Sequence, residues 1–187
     1  MDNNAVIAIV AVIAIVALGL AVWSAVRKRR STHLRDQFGT EYGKAVETFG
    51  GPRSAERELA AREKRVKSFD IHPLSLEQHR RFTKDWQEVQ TRFVDDPSMA
   101  VTDADRLVKE LMQTRGYPMV DFEQRAADIS VDHPEVVSHY RSAREIAVTN
   151  REGKATTEDL RQALVHYRAL FEDLLETAPP QRRVSAR

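Results

Sequence analysis

The 187-residue chain carries 29 Lys+Arg against 28 Asp+Glu and has no cysteine, which excludes disulfides, thiolate metal sites and lipid attachment through Cys. Four of the 29 basic residues are Arg27, Lys28, Arg29 and Arg30, and one acidic residue, Asp2, precedes them, leaving 25 against 27 from residue 31 on. That balance lacks the basic surface that neutralises phosphates, so no nucleic-acid partner is expected.

Residues 1–4 form a short polar start. Residues 5–26 (AVIAIVAVIAIVALGLAVWSAV) then run for 22 positions without a charge. As a helix this stretch spans about 33 Å, enough for a hydrocarbon core of about 30 Å. A core helix of a globular domain would show a polar face, and here only Ser24 is polar. A cleaved signal peptide fits less well: no Lys or Arg precedes the run, it exceeds the roughly 7–15 residues of a signal core, and its exit is basic. The expectation is one uncleaved transmembrane helix. Residues Arg27 to Arg30 keep the following chain inside by the positive-inside bias, placing the N-terminus outside and the C-terminal domain in the cytoplasm, at a cell (inner) membrane. Trp23 suits the headgroup level, and the basic cluster suits anionic headgroups. Ala17 and Ala21 form a small-xxx-small pair that permits close helix packing in the membrane, and hence self-association.

Residues 27–52 read as a basic flank and a juxtamembrane helix. Leu34, Phe38, Tyr42, Val46 and Phe49 recur at helical spacing, predicting a helix over 32–49 that ends at Gly50-Gly51-Pro52. No proline interrupts 5–49, so this helix can continue directly from the membrane segment, although Gly39 and Gly43 weaken it by about 1 kcal/mol each. Residues 53–177 read as a helical soluble domain. Residues 53–68 are charged on nearly every side, with six Lys/Arg that can lie along headgroups or simply face water. Pro73 forces an extended break.

Ser75 with Gln78 makes a capping-box start for a helix carrying Phe82, Trp86, Val89 and Phe93. Asp96 and Pro97 are the N-cap and first position of the next, whose stripe runs from Ala100 to Met112 and stops at Gly116 and Pro118. A shorter helix follows from Asp121. Another is built on Val136, Val137, Tyr140, Ala143 and Ala147, and a last one starts at Thr156 with Asp159. The tail over 178–187, with Pro-Pro and three Arg, is expected to be disordered. The fold class is therefore all-α, one transmembrane helix followed by six or seven more. No strand alternation, repeat or sustained heptad is present.

The chemistry-bearing residues do not assemble into a motif. His133 and His139 are six apart and sit on different helix faces, while His33, His72, His79 and His166 stand alone in sequence. Asp95-Asp96 and Asp103/Asp105 lack the alternating oxygen ligands of a hard-cation loop. Gly153-Lys154-Ala155-Thr156 fails as a phosphate loop, because position 148 is Val and the residue after Lys154 is Ala. There is no GxSxG elbow. No catalytic, metal or cofactor residue is expected.

The segments LRDQFGTEYGKAV (34–46), RFVDDPSMAVTDADRLVKELMQTRGYP (92–118), SVDHPEVVSHYRSA (130–143) and TEDLRQALVHYRALFEDLL (157–175) resemble a family of uncharacterised bacterial single-pass membrane or envelope proteins. The resemblance implies a bacterial envelope setting and no particular activity. The resulting expectation is a membrane-anchored, non-enzymatic module binding an unidentified protein partner or itself at the cytoplasmic face. The alternative is an enzyme or ligand sensor with a dispersed site, for which Asp95, Asp96, Tyr117 and His133 are the candidates. A pore is disfavoured because the single crossing carries no charge.

Overall fold

The computed structural model describes residues 3–176, with side chains from residue 14 on. Among these the chain is all-α: eight helices and no strand. They are α1 (Asn3–Phe38), α2 (Thr40–Thr48), α3 (Pro52–Val66), α4 (Leu76–Asp95), α5 (Pro97–Thr114), α6 (Phe122–Asp132), α7 (Val137–Arg151) and α8 (Thr157–Glu176). The tail over 178–187 lies outside the described residues, as do the side chains of 5–13 within the apolar run. Among the described residues no helix is long and apolar enough to cross a membrane. Contacts divide the chain inside α3, one unit extending to Leu59 and the other beginning at Ala60.

In the first unit α1 is a single helix of 36 residues, so the apolar run and the basic cluster share one unbroken element. The helix expected over 32–49 is divided instead. Gly39 adopts φ 48° and ψ −122°, a conformation closed to most side chains, and it ends α1 and starts α2. Leu34 and Phe38 of α1, Tyr42 and Ala45 of α2, and Ala55 and Leu59 of α3 are buried. Gly50 and Gly51, both with positive φ, turn the chain into α3, and Pro52 occupies its first position.

The second unit is a helical bundle in which α5 contacts α4, α7 and α8, and α7 contacts α6 and α8. Its helix starts follow the expected chemistry. The Ser75 hydroxyl accepts from the Gln78 amide at 3.1 Å while the Gln78 side chain accepts from the Ser75 amide at 2.8 Å. Asp96 accepts from the Met99 amide at 3.0 Å ahead of Pro97, and Asp121 accepts from the Gln124 amide at 3.0 Å. Thr156 and Asp159 bond reciprocally. A one-residue connection at Asp96 forces α4 and α5 to fold back on each other.

The core is filled by Phe82, Trp86 and Val89 of α4, Ala104, Val108 and Leu111 of α5, Tyr140 and Ala143 of α7, and Tyr167, Leu170, Phe171 and Leu174 of α8. Trp86 stacks on Phe171 with ring centroids 4.7 Å apart. The segment between α3 and α4 crosses the end of α5, where the His72 amide donates to the Arg115 carbonyl at 3.1 Å. Gly116, at φ 95°, is required there: a Cβ would lie 2.1 Å from the Asp70 carbonyl oxygen.

Candidate functional site

In the first unit the basic cluster does not present a uniform face. Lys28, Arg29 and Arg30 are exposed, as are Ala17 and Ala21, whereas Arg27 is half-buried. Trp23 is 61% exposed, with the Arg27 guanidinium 5.4 Å from its ring centroid. A shallow groove along α1 is lined by Lys28, Arg29, Thr32, His33 and Asp36. The side of α1 bearing Ser31, Leu34 and Phe38 belongs instead to the packing against α2 and α3. There Glu56 accepts from the Tyr42 hydroxyl at 3.0 Å, and the Arg35 guanidinium lies 5.0 Å from the Tyr42 ring. The Ser31 hydroxyl, then Tyr42 and the charges of Arg27 and Arg35, hold the Glu56 carboxyl below its ordinary range. An acidic side chain of α3 is thus placed against the basic segment of α1.

The second unit brings together Arg115, Tyr117, Asp132, His133 and Asp173, where the end of α5 meets the ends of α6 and α8. Arg115 and Tyr117 are 1% and 3% exposed. The Arg115 guanidinium donates from Nη1 to the Leu174 carbonyl at 2.6 Å, capping the last turn of α8. Its Nε and Nη2 have no partner among the described residues. Burial pulls the Arg115 guanidinium below its ordinary value. The Tyr117 hydroxyl donates to Asp132 at 3.1 Å, and burial, reinforced by the Asp132 charge, pushes Tyr117 far up. Burial likewise raises Asp132. His133 Nδ1 pairs with Asp173; since a carboxylate only accepts, that nitrogen carries the proton.

Of the four dispersed candidates, Tyr117 and His133 therefore meet, with ring centroids 6.3 Å apart. Asp95 and Asp96 do not join them. Both are exposed, and the 18 residues of α5 separate Asp96 from Tyr117 by about 27 Å of helix. Asp103 and Asp105 point to different partners: Asp103 pairs with Arg92 and Arg106, while Asp105 accepts from the buried Tyr167 hydroxyl at 3.0 Å and pairs with Lys109. Arg125 donates to the Tyr140 hydroxyl at 2.7 Å. Between α4 and α5 an open groove of about 210 Å³ is lined by Asp85, Glu88, Asp103, Arg92 and Arg106. Among the described residues no group of three or more His, Asp or Glu is close enough to hold a metal ion.

One juxtaposition had no signal in the sequence. His139 of α7 and His166 of α8, 27 positions apart, face each other with Nδ1 atoms 2.8 Å apart. Only the pairing of the two helices, unknown from the sequence, brings them together. No family model, curated protein or solved structure matches the chain.

Proposed function

We propose that the chain is a membrane-anchored helical module of the bacterial inner membrane, non-enzymatic, that docks a protein partner at the cytoplasmic face. The observation that carries this reading is the uncharged run over 5–26 leading, within one unbroken helix, into Arg27–Arg30 with three of the four side chains exposed. Lys28 and Arg29 line the open groove on α1 and are available to anionic headgroups, each contributing about 1 kcal/mol near such a surface. For the partner, support comes from the bundle end where Ser98 and Asn150 bond at 2.8 Å. Val94, Met99 and Val148 near that end are 83%, 48% and 38% exposed, the kind of apolar surface a partner covers.

The absence of cysteine makes topology directly measurable. Single variants Asn4→Cys and Glu77→Cys are treated with a membrane-impermeant maleimide in intact cells and after lysis. The expected result is labelling of Asn4→Cys in intact cells and of Glu77→Cys only on lysis. The opposite pattern, or a chain released from membranes by alkaline carbonate, overturns the reading. Crosslinking and copurification in mild detergent then test the docking role, which fails if the chain is recovered only as an unpartnered monomer.

A second reading, a ligand sensor, is favoured by one observation: buried Arg115 with two nitrogens, Nε and Nη2, whose N–H groups lack an acceptor among the described residues. Thermal-shift screening against small carboxylates and phosphate tests it, and a flat response removes it.

A further inference from the structure

We infer that the hydrogen bond between His139 and His166 is an acid-sensitive latch on the seam between α7 and α8, which holds through the first added proton and is released by the second. The two Nδ1 atoms are 2.8 Å apart and the ring centroids 5.1 Å apart, so the imidazoles stand end to end along one bond. The helices they join pack directly on each other. Beside the pair, Tyr140 of α7 and Tyr167 of α8 are fully buried, while the two histidines are half-buried and within reach of solvent protons.

The proton inventory gives the latch two steps. In the neutral pair one Nδ1–H donates and the other ring's Nδ1 accepts. The donating ring keeps a lone pair on Nε2, and the first proton binds there without disturbing the bond. An imidazolium donor then strengthens it. The second proton has one place left, the accepting Nδ1. Its arrival sets two N–H groups of two cations head to head, with no acceptor between them, and the rings must part. Both steps belong to the pair as a unit.

The surroundings do little to offset two charges. One turn either way from His166 the positions on α8 are uncharged, and one turn from His139 the single charged residue is Glu135, exposed in the turn before α7. Charged groups of the neighbouring elements are engaged elsewhere. Asp105 of α5 holds the Tyr167 hydroxyl and pairs with Lys109, with Arg144 of α7 3.8 Å away. Arg125 of α6 donates to the Tyr140 hydroxyl, and Asp173, two turns along α8, pairs with His133. Burial, followed by the proximity of His139, holds His166 below its ordinary value of 6.5. The neutral form is therefore favoured in the fold. Its contribution is present above the unfolded value and is lost as pH falls through the folded one. The latch is independent of the membrane reading.

The test uses the full chain in neutral detergent at pH 7.5 and pH 5. His139→Gln and His166→Gln each replace one ring by an amide that cannot charge. The expected result is that the melting temperature of the unaltered chain falls further on acidification than that of either variant, while the exposed control His72→Gln follows the unaltered chain. A difference between variant and unaltered chain that is the same at both pH values overturns the latch. A measurement on the unaltered chain, with nitrogen-15-labelled histidine, stands beside the variants and does not depend on their folding. It is expected to show a coupling across the bond between the two Nδ1 nuclei at pH 7.5 that disappears in acid, and a His166 ring that titrates below 6.5. No coupling at pH 7.5, or a His166 midpoint at or above 6.5, overturns it equally.

Discussion

At the scale of single residues, Asp132 of the bundle and Glu56 of the first unit have opposite dependences on pH. Asp132 is raised above the ordinary carboxylate value by burial, so its protonated form is favoured in the fold. Its contribution is present below its unfolded value and is lost as pH rises through the folded one. Asp132→Asn stays neutral and keeps an oxygen for Tyr117. The melting temperature of this variant, relative to the unaltered chain, is therefore expected to increase between pH 4 and pH 7; a difference independent of pH contradicts the assignment. Glu56 behaves in the reverse sense. Held low first by Ser31, it supports the first unit above its unfolded value and loses that support as pH falls through the folded one. Ser31→Ala is expected to move the Glu56 carboxyl back toward 4.5, its ordinary value, as read by carboxyl-carbon NMR. Tyr167→Phe removes the hydroxyl that donates to buried Asp105 and is expected to cost about 1.5–3 kcal/mol in urea denaturation.

At the scale of the element, two glycines of the same backbone sign separate strain from space. A Cβ at Gly153, where φ is 69°, would meet nothing within 4 Å, whereas the same atom at Gly116 meets the Asp70 backbone. Gly153→Ala is expected to cost about 1–2 kcal/mol, the left-handed penalty alone. Gly116→Ala adds an overpacking cost, giving about 3 kcal/mol or more. Denaturant midpoints of the two variants check the ordering. Helix starts were readable in the sequence where a side chain itself makes the cap, as at Ser75, Asp96, Asp121 and Thr156. The break at Gly39 was not, because Leu34, Phe38 and Tyr42 keep helical spacing across it and only the positive φ divides them. Likewise the Tyr117–His133 and His139–His166 encounters depend on which helices pack together, and spacing along one helix carries no information about that. The orphaned donors of Arg115 were hidden for the same reason: a guanidinium reads as a surface group until three helix ends close around it.

For the whole molecule, the proposed orientation rests on four adjacent cations. Changing Arg27, Lys28, Arg29 and Arg30 together to Glu is expected to remove the inside bias and to make Glu77→Cys partly accessible to impermeant maleimide in intact cells. Unchanged protection assigns orientation to another part of the chain. The continuity of α1 has a rotational consequence. Residues 27–38, 12 positions of one helix, extend about 18 Å beyond the apolar run. Through them, the azimuth at which Ala17 and Ala21 would face a neighbour in the proposed membrane packing also fixes the direction in which Leu34 and Phe38 present α2 and α3. Each residue inserted between Arg30 and Leu34 would turn one set against the other by about 100°, while seven, close to two full turns, would nearly restore the phase. In the proposed anchored arrangement, residues 27–38 of α1 would act as a shaft whose length sets an angle as well as a distance.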